Sequence, residues 1–117
     1  MFNDYQDKAA RSSGLAKAAP SVSDERRAAM AAMGLAGEAG EVVDYLKKVL
    51  YHGKPLNREK LKDELGDVLW YLSEVYSTFS IRLEDVAVGN IEKLRKRYPN
   101  GFTAADSEAR VDVNAAE

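Results

Sequence analysis

A chain of 117 residues with 45% hydrophobic and 31% charged residues is sized for one domain with a core, too short for two ordinary ones. Its net charge of −2 excludes both a disordered polyanion and a basic nucleic-acid binder, so no free nucleic acid is expected as a partner. With no cysteine there are no disulfides, thiolate zinc sites or cysteine nucleophiles, and with no apolar run of spanning length or secretory signal the expectation is a cytoplasmic protein without membrane contact.

The opening stretch, MFNDYQDKAARSSGLAKAAP, predicts a short helix interrupted by Gly14 and Pro20. The serines of SVSDE then offer a helix start before Asp24. A long second helix is expected from about Asp24 to Tyr51, with Leu35, Ala39, Val42, Leu46 and Val49 recurring every three or four residues as its apolar stripe. YHGKPLN reads as a turn, Gly53 and Pro55 ending the helix and Asn57 capping the next.

The third helix is expected from about Arg58 to Ser80, its buried face carrying Leu61, Leu65, Val68, Leu72, Val75 and Phe79. A fourth should run from Glu84 or Asp85 to Tyr98, because Pro99 disfavours helical geometry in the residue before it. The stretch 104–117 has little to bury and is expected to be a flexible or partner-packed tail behind a domain of residues 1–103. Nothing alternates as a strand does. The predicted fold is all-α, an antiparallel bundle of about four helices completed by oligomerisation as a homodimer or homotetramer.

Two segments carry the chemistry. GEAGEVVDYL (residues 37–46) and DELGDVLWYL (63–72) align without a gap at an offset of 26, pairing Glu38 with Glu64, Gly40 with Gly66, Glu41 with Asp67 and Tyr45 with Tyr71. At about 100° per residue each acidic pair adjoins its helix's apolar stripe, so antiparallel packing of the two helices would bring four carboxylates together. Like charges that close are unstable without a cation. Oxygen-only ligands suit Mg²⁺, with Mn²⁺ as a substitute. Gly40 and Gly66, mid-helix, are expected to admit a close approach of backbone or ligand.

Glutamates three apart are common on solvated helix faces, but two pairs with the same phase, central glycine and trailing aromatic are hard to assign to surface composition. A di-iron centre would need Glu-x-x-His pairs, and the single histidine, His52, falls in the turn after the second helix. Lys47, Lys48 and Lys54 near it could face a phosphate chain or simply complement the helix dipole.

The order Glu-x-x-Glu, 22 intervening residues, Glu-x-x-Asp, within GLAGEAGEVVDYLKK and KDELGDVLWYL, resembles the MazG-type nucleoside triphosphate pyrophosphohydrolases of the all-α superfamily. The resemblance extends to NIEKLRKRYPNGF and, at the start, to DYQ, covering roughly residues 4 to 103. It implies Glu38, Glu41, Glu64 and Asp67 as metal ligands and catalytic residues. The implied reaction is Mg²⁺-dependent conversion of a (deoxy)nucleoside triphosphate to the monophosphate and pyrophosphate, with noncanonical nucleotides as candidate substrates.

Asn90, Lys93 and Arg97 match positions that contact phosphates or sugar. Lys54 and Trp70 are further substrate-binding candidates, Trp70 reading more readily as core or subunit interface than as a platform for the base. Related dimeric dUTPases often carry an acidic residue where this chain has Gly37, which favours the MazG-like branch and leaves the general base unassigned. The alternative function is a non-catalytic helical dimerisation module with a structural cation site, which would bind Mg²⁺ and release no pyrophosphate.

Overall fold

In the computed structural model the described residues are 1–14 and 23–114. The break expected at Pro20 and the first serine of SVSDE lie outside them. Among the described residues the chain is helical with no strand: α1 (Phe2–Ala10), α2 (Asp24–Tyr51), α3 (Arg58–Thr78), α4 (Leu83–Arg97), α5 (Ala104–Ala109) and α6 (Val111–Asn114). They form two compact units, residues 1–82 and 83–117. No helix among the described residues is long and apolar enough to cross a membrane.

The boundaries follow from local chemistry. Ser23 caps α2, its Oγ accepting from the Arg26 N–H at 3.2 Å. The other end of α2 is closed by Gly53 in the left-handed region (φ +72°), which lets the Lys54 N–H turn back to the Lys48 carbonyl at 3.1 Å. Asn57 caps α3 through its Oδ1, which accepts from the N–H groups of Glu59 (3.0 Å) and Lys60 (3.2 Å).

In the first unit α2 and α3 form an antiparallel hairpin, and α1 packs on α3. The hairpin is fastened at both ends. At the turn, the Tyr45 hydroxyl accepts from the Asn57 N–H (2.7 Å) and donates to the Asn57 carbonyl (3.2 Å). At the far end, the buried Glu74 carboxylate accepts from the Ser13 hydroxyl (2.6 Å) and pairs with Arg27 (3.3 Å), joining the end of the α1 segment to α2 and α3. Gln6 of α1 is likewise buried and donates to the Ile81 carbonyl at 2.8 Å.

Between these ends the expected apolar stripes are only partly covered. Leu35, Val42, Leu46 and Val49 are half-buried, whereas Ala39, Leu65 and Phe79 are exposed. The helices pack closely at Gly34 and Tyr71, where the Tyr71 ring lies so near the α2 backbone that a Cβ on Gly34 would overlap it.

In the second unit, residues 104–114, expected as a tail, carry α5 and α6. Thr103 caps α5, its Oγ1 accepting from the Asp106 N–H at 3.0 Å, and Arg110 in the left-handed region separates the two short helices. Asp112 of α6 takes both Nε and Nη2 of Arg97 at the end of α4, each at 2.8 Å. This paired contact fixes α6 on α4.

Candidate metal centre

The register of the hairpin follows from its contacts. Tyr71 on Gly34 and Lys60 over the Tyr45 ring (5.7 Å to the centroid) both pair positions whose numbers sum to 105. The same sum sets Glu38 level with Asp67 and Glu41 level with Glu64. The two acidic motifs therefore meet in the middle of the hairpin because Gly34 and Tyr71 lie one turn beyond them. The repeat alone cannot specify that alignment.

Carboxylate oxygens of Glu38, Glu64 and Asp67 lie within 4.8 Å of one another. Glu38 and Glu64 are half-buried and Asp67 is exposed. Burial pushes the Glu38 carboxyl above the usual glutamate range, and the negative charges of Asp67, Glu64 and Glu41 push it further. Lys60, one turn before Glu64, approaches that carboxylate at 3.7 Å. The donor set is wholly oxygen, gathered from two helices and mutually repulsive, which is the chemistry that fits a hard divalent cation.

Glu41 stands outside this trio. It is exposed and lines, with Asp44, Tyr45, Lys48, Lys54, Lys60 and Glu64, an adjoining cavity of about 100 Å³. Its charge helps raise the ammonium pKa of Lys48, behind the larger effect of the 2.8 Å pair that Lys48 makes with Asp44. Lys54 lines the same cavity and lies over the Tyr45 ring at 5.4 Å, so this candidate and Glu41 are brought to one border of the acidic cluster.

Trp70 is half-buried beside the second motif. Its ring meets Tyr71 edge-on (5.0 Å, 85°), and its indole N–H donates to the Ser12 hydroxyl at 2.8 Å. In this arrangement it holds the segment after α1 against α3. Asn90 and Lys93 are exposed on α4 in the second unit. Arg97 of the same helix is engaged by Asp112.

Three bordering residues were not singled out from sequence. Gly34 is the glycine that close packing requires. At Gly40 and Gly66, where a close approach was expected, a Cβ would meet nothing within 4 Å of the chain. Lys60 had a local signal, its place four residues before Glu64. Tyr5 had only its place in the DYQ stretch: its phenol is raised by burial and then by the charge of Asp67, which brings α1 to the edge of the centre.

Residues 27–102 match the family described as the MazG nucleotide pyrophosphohydrolase domain, a span that contains both acidic motifs and α4. The chain is also similar to the Gene 37 protein of Mycobacterium phage L5, 35% identical over 82 residues that cover 67% of this chain and 72% of that protein. No solved structure matches.

Proposed function

The chain belongs to the MazG nucleotide pyrophosphohydrolase family, and from that premise we propose that it hydrolyses a ribo- or deoxyribonucleoside triphosphate to the monophosphate and pyrophosphate. The observation that carries the reading is the convergence of Glu38, Glu64 and Asp67, from both acidic motifs, on one point between two helices. These three would hold a divalent cation, Mg²⁺ or Mn²⁺, with Glu41 as a fourth carboxylate beside them. When bound, such an ion supplies neutralisation of phosphate charge and acidifies a coordinated water.

The remaining work falls to the chain's own groups. Lys54, on the cavity that Glu41 and Glu64 also line, presents positive charge where a leaving pyrophosphate gains its negative charge. Asn90, Lys93 and Arg97 of α4 are further candidates for phosphate and sugar contacts, Arg97 only on exchanging Asp112 for substrate. Trp70 serves by fixing the α1 segment rather than by stacking on the base. The assembly is a homo-oligomer acting through residues 1–103.

The test is a panel of ribo-, deoxyribo- and modified triphosphates incubated with Mg²⁺ and resolved by chromatography. Monophosphate and pyrophosphate from at least one substrate are the expected products, with noncanonical bases included in the panel. Diphosphate plus orthophosphate would place the cleavage at the wrong bond. Binding of Mg²⁺ with no turnover on any substrate would favour a cation-stabilised scaffold and reject the enzymatic reading.

A further inference from the structure

In the second unit, the end of α4 and the segment after it surround the chain's own carboxylate with positive charge. Asp112 of α6 lies between two guanidiniums. Arg97 grips it through Nε and Nη2, each at 2.8 Å, and the Nε of Arg110 approaches Oδ1 at 3.6 Å. The Asp112 side chain is wholly covered and that of Arg97 is 17% exposed. Two hydroxyls adjoin them. A hydrogen bond with Ser107 holds the Tyr98 phenol below its ordinary value, and, against partial burial, a hydrogen bond with Arg97 and the charges of Arg97 and Arg110 act in the same direction.

We propose that Arg97 and Arg110 are a phosphate-binding pair, that Asp112 fills it as an internal stand-in, and that α5 and α6 form a latch which a phosphate chain opens by taking the place of that carboxylate. A guanidinium presents the same two-pronged donor face to a carboxylate and to a phosphate, so the grip is transferable. Charge favours the exchange: Asp112 offers two arginines one negative charge, whereas a pyrophosphate group carries several. Arg97 also lies four residues after Lys93 and seven after Asn90, both exposed, so the pair continues one face of α4. The proposal rests on the nucleotide reading for the identity of its ligand, and it extends the site past residue 103.

A segment pinned only for stability would bury apolar surface as well. Here Ala104, Ala105, Ala109 and Val111 are all exposed, and α6 is four residues long. The ties that hold the segment are polar: the Asp112 ion pair and the bond between Tyr98 and Ser107. An anion can replace such ties, whereas it could not replace a packed core. The joint between the two short helices is strained, since Arg110 occupies the left-handed region at φ 49° without being glycine. The pull of Asp112 offsets that strain. Once Asp112 is displaced, Arg110 can return to ordinary backbone geometry, so release of the carboxylate and movement of α6 are one event.

The test reads binding and not turnover. The full chain in EDTA is titrated with inorganic pyrophosphate and, separately, with an α,β-imido nucleoside triphosphate, at an ionic strength fixed with sodium chloride. The Nε–H resonances of Arg97 and Arg110 should move together, and the amides of residues 104–113 should exchange faster, the reverse of the slowing that a ligand brings when it only adds contacts. Asp112→Asn keeps the shape and removes the charge; it should bind either anion about tenfold more tightly or better, because wild-type affinity is reduced by the fraction of molecules in which the pair is open. Adding Arg97→Ala to that variant should remove the binding. A response to the analogue alone identifies the nucleotide as the ligand, and a response to both makes free pyrophosphate an occupant too. Equal affinity of wild type and Asp112→Asn, slower exchange across 104–113, or no movement of Arg97 with either anion would overturn the proposal, and the wild-type exchange measurement decides even if the variant does not fold. Turnover without displacement of Asp112 rejects the latch alone, whereas displacement without turnover of any triphosphate rejects the hydrolase reading alone.

Discussion

Replacing Gly34 by alanine tests how the acidic centre is assembled, because two well-defined effects of opposite sign compete there. Alanine in a helix interior is favoured over glycine by about 1 kcal/mol. Against this, the new Cβ falls on Cε1, Cδ1 and Cζ of the Tyr71 ring. The ring has little room to yield, since its edge is set against Trp70 at 5.0 Å and Trp70 is tied by its indole N–H to Ser12. Overpacking of this kind costs about 1–3 kcal/mol, and the lack of an exit places it in the upper part of that range. The net expectation is a loss of about 1–2 kcal/mol, or a Tm lower by roughly 3–10 °C for a chain of this size. Gly66→Ala is the internal control: it sits between Glu64 and Asp67, a Cβ there meets nothing, and it should raise Tm by the propensity gain alone. Melts of the three proteins in EDTA at low micromolar concentration would decide. If Gly34→Ala melts at or above wild type, Tyr71 on Gly34 does not set the register of α2 on α3, and the derivation of the carboxylate cluster from that register fails.

The remaining predictions concern charge. Glu38→Gln is expected to raise the metal-free Tm at neutral pH, because the Glu38 carboxyl is raised in the folded state and the folded chain holds protons more tightly there than the unfolded one. Metal-free stability should accordingly rise as pH falls through the folded pKa toward the ordinary glutamate value, and the variant should lose that dependence in EDTA melts. Mg²⁺ should stabilise wild type more than Glu38→Gln or Glu64→Gln, and both variants should lose turnover; equal Mg²⁺ shifts in all three would remove these residues from the ligand set. Arg27→Ala, which leaves the buried Glu74 carboxylate with Ser13 but no cation, should cost about 3 kcal/mol in urea unfolding. Asp112 is held down at about 2 by hydrogen bonds from Arg97, so the tie between α6 and α4 should be complete above the ordinary aspartate range and lost as pH falls through about 2, followed by the Arg97 side-chain N–H resonances; Asp112→Asn should lose that transition.

Helix boundaries were legible in the sequence because the devices that set them are local. Ser23, Asn57, Gly53 and Pro99 each act within a turn of their own position, and α2 begins and ends where they indicate. The acidic motifs were legible as a pair because their spacing and phase repeat. What the sequence did not show is whatever depends on two distant residues at once. Tyr71 on Gly34, Glu74 with Ser13 and Arg27, and Tyr5 near Asp67 join positions separated by 37 to 62 residues, and no periodicity encodes them. The exposure of Leu65 and Phe79 has the same origin. Both satisfy the spacing of a buried stripe, but the contact with α2 passes through Tyr71 and Glu74 on a neighbouring face.

The distribution of these contacts bears on how a cation would act on the first unit. Favourable polar contacts gather at the two ends of the hairpin: the Tyr45 hydroxyl with Asn57 at the turn, and Glu74 with Ser13 and Arg27 at the other end. Between them the helices share a repulsive centre, where Glu38, Glu64 and Asp67 crowd within 4.8 Å. Pinned ends hold the carboxylates together against their own charge, which is preorganisation at the cost of local stability. The middle turns of α2 and α3 are therefore where a divalent ion should have its largest effect. Hydrogen exchange in the segments around Glu38–Glu41 and Glu64–Asp67 should slow on adding Mg²⁺ far more than at Asn57 or Glu74, since a ligand confined to the centre cannot add to contacts that are already made. Uniform slowing along both helices would mean that the hairpin opens only as a whole and that the ends do not hold the centre independently.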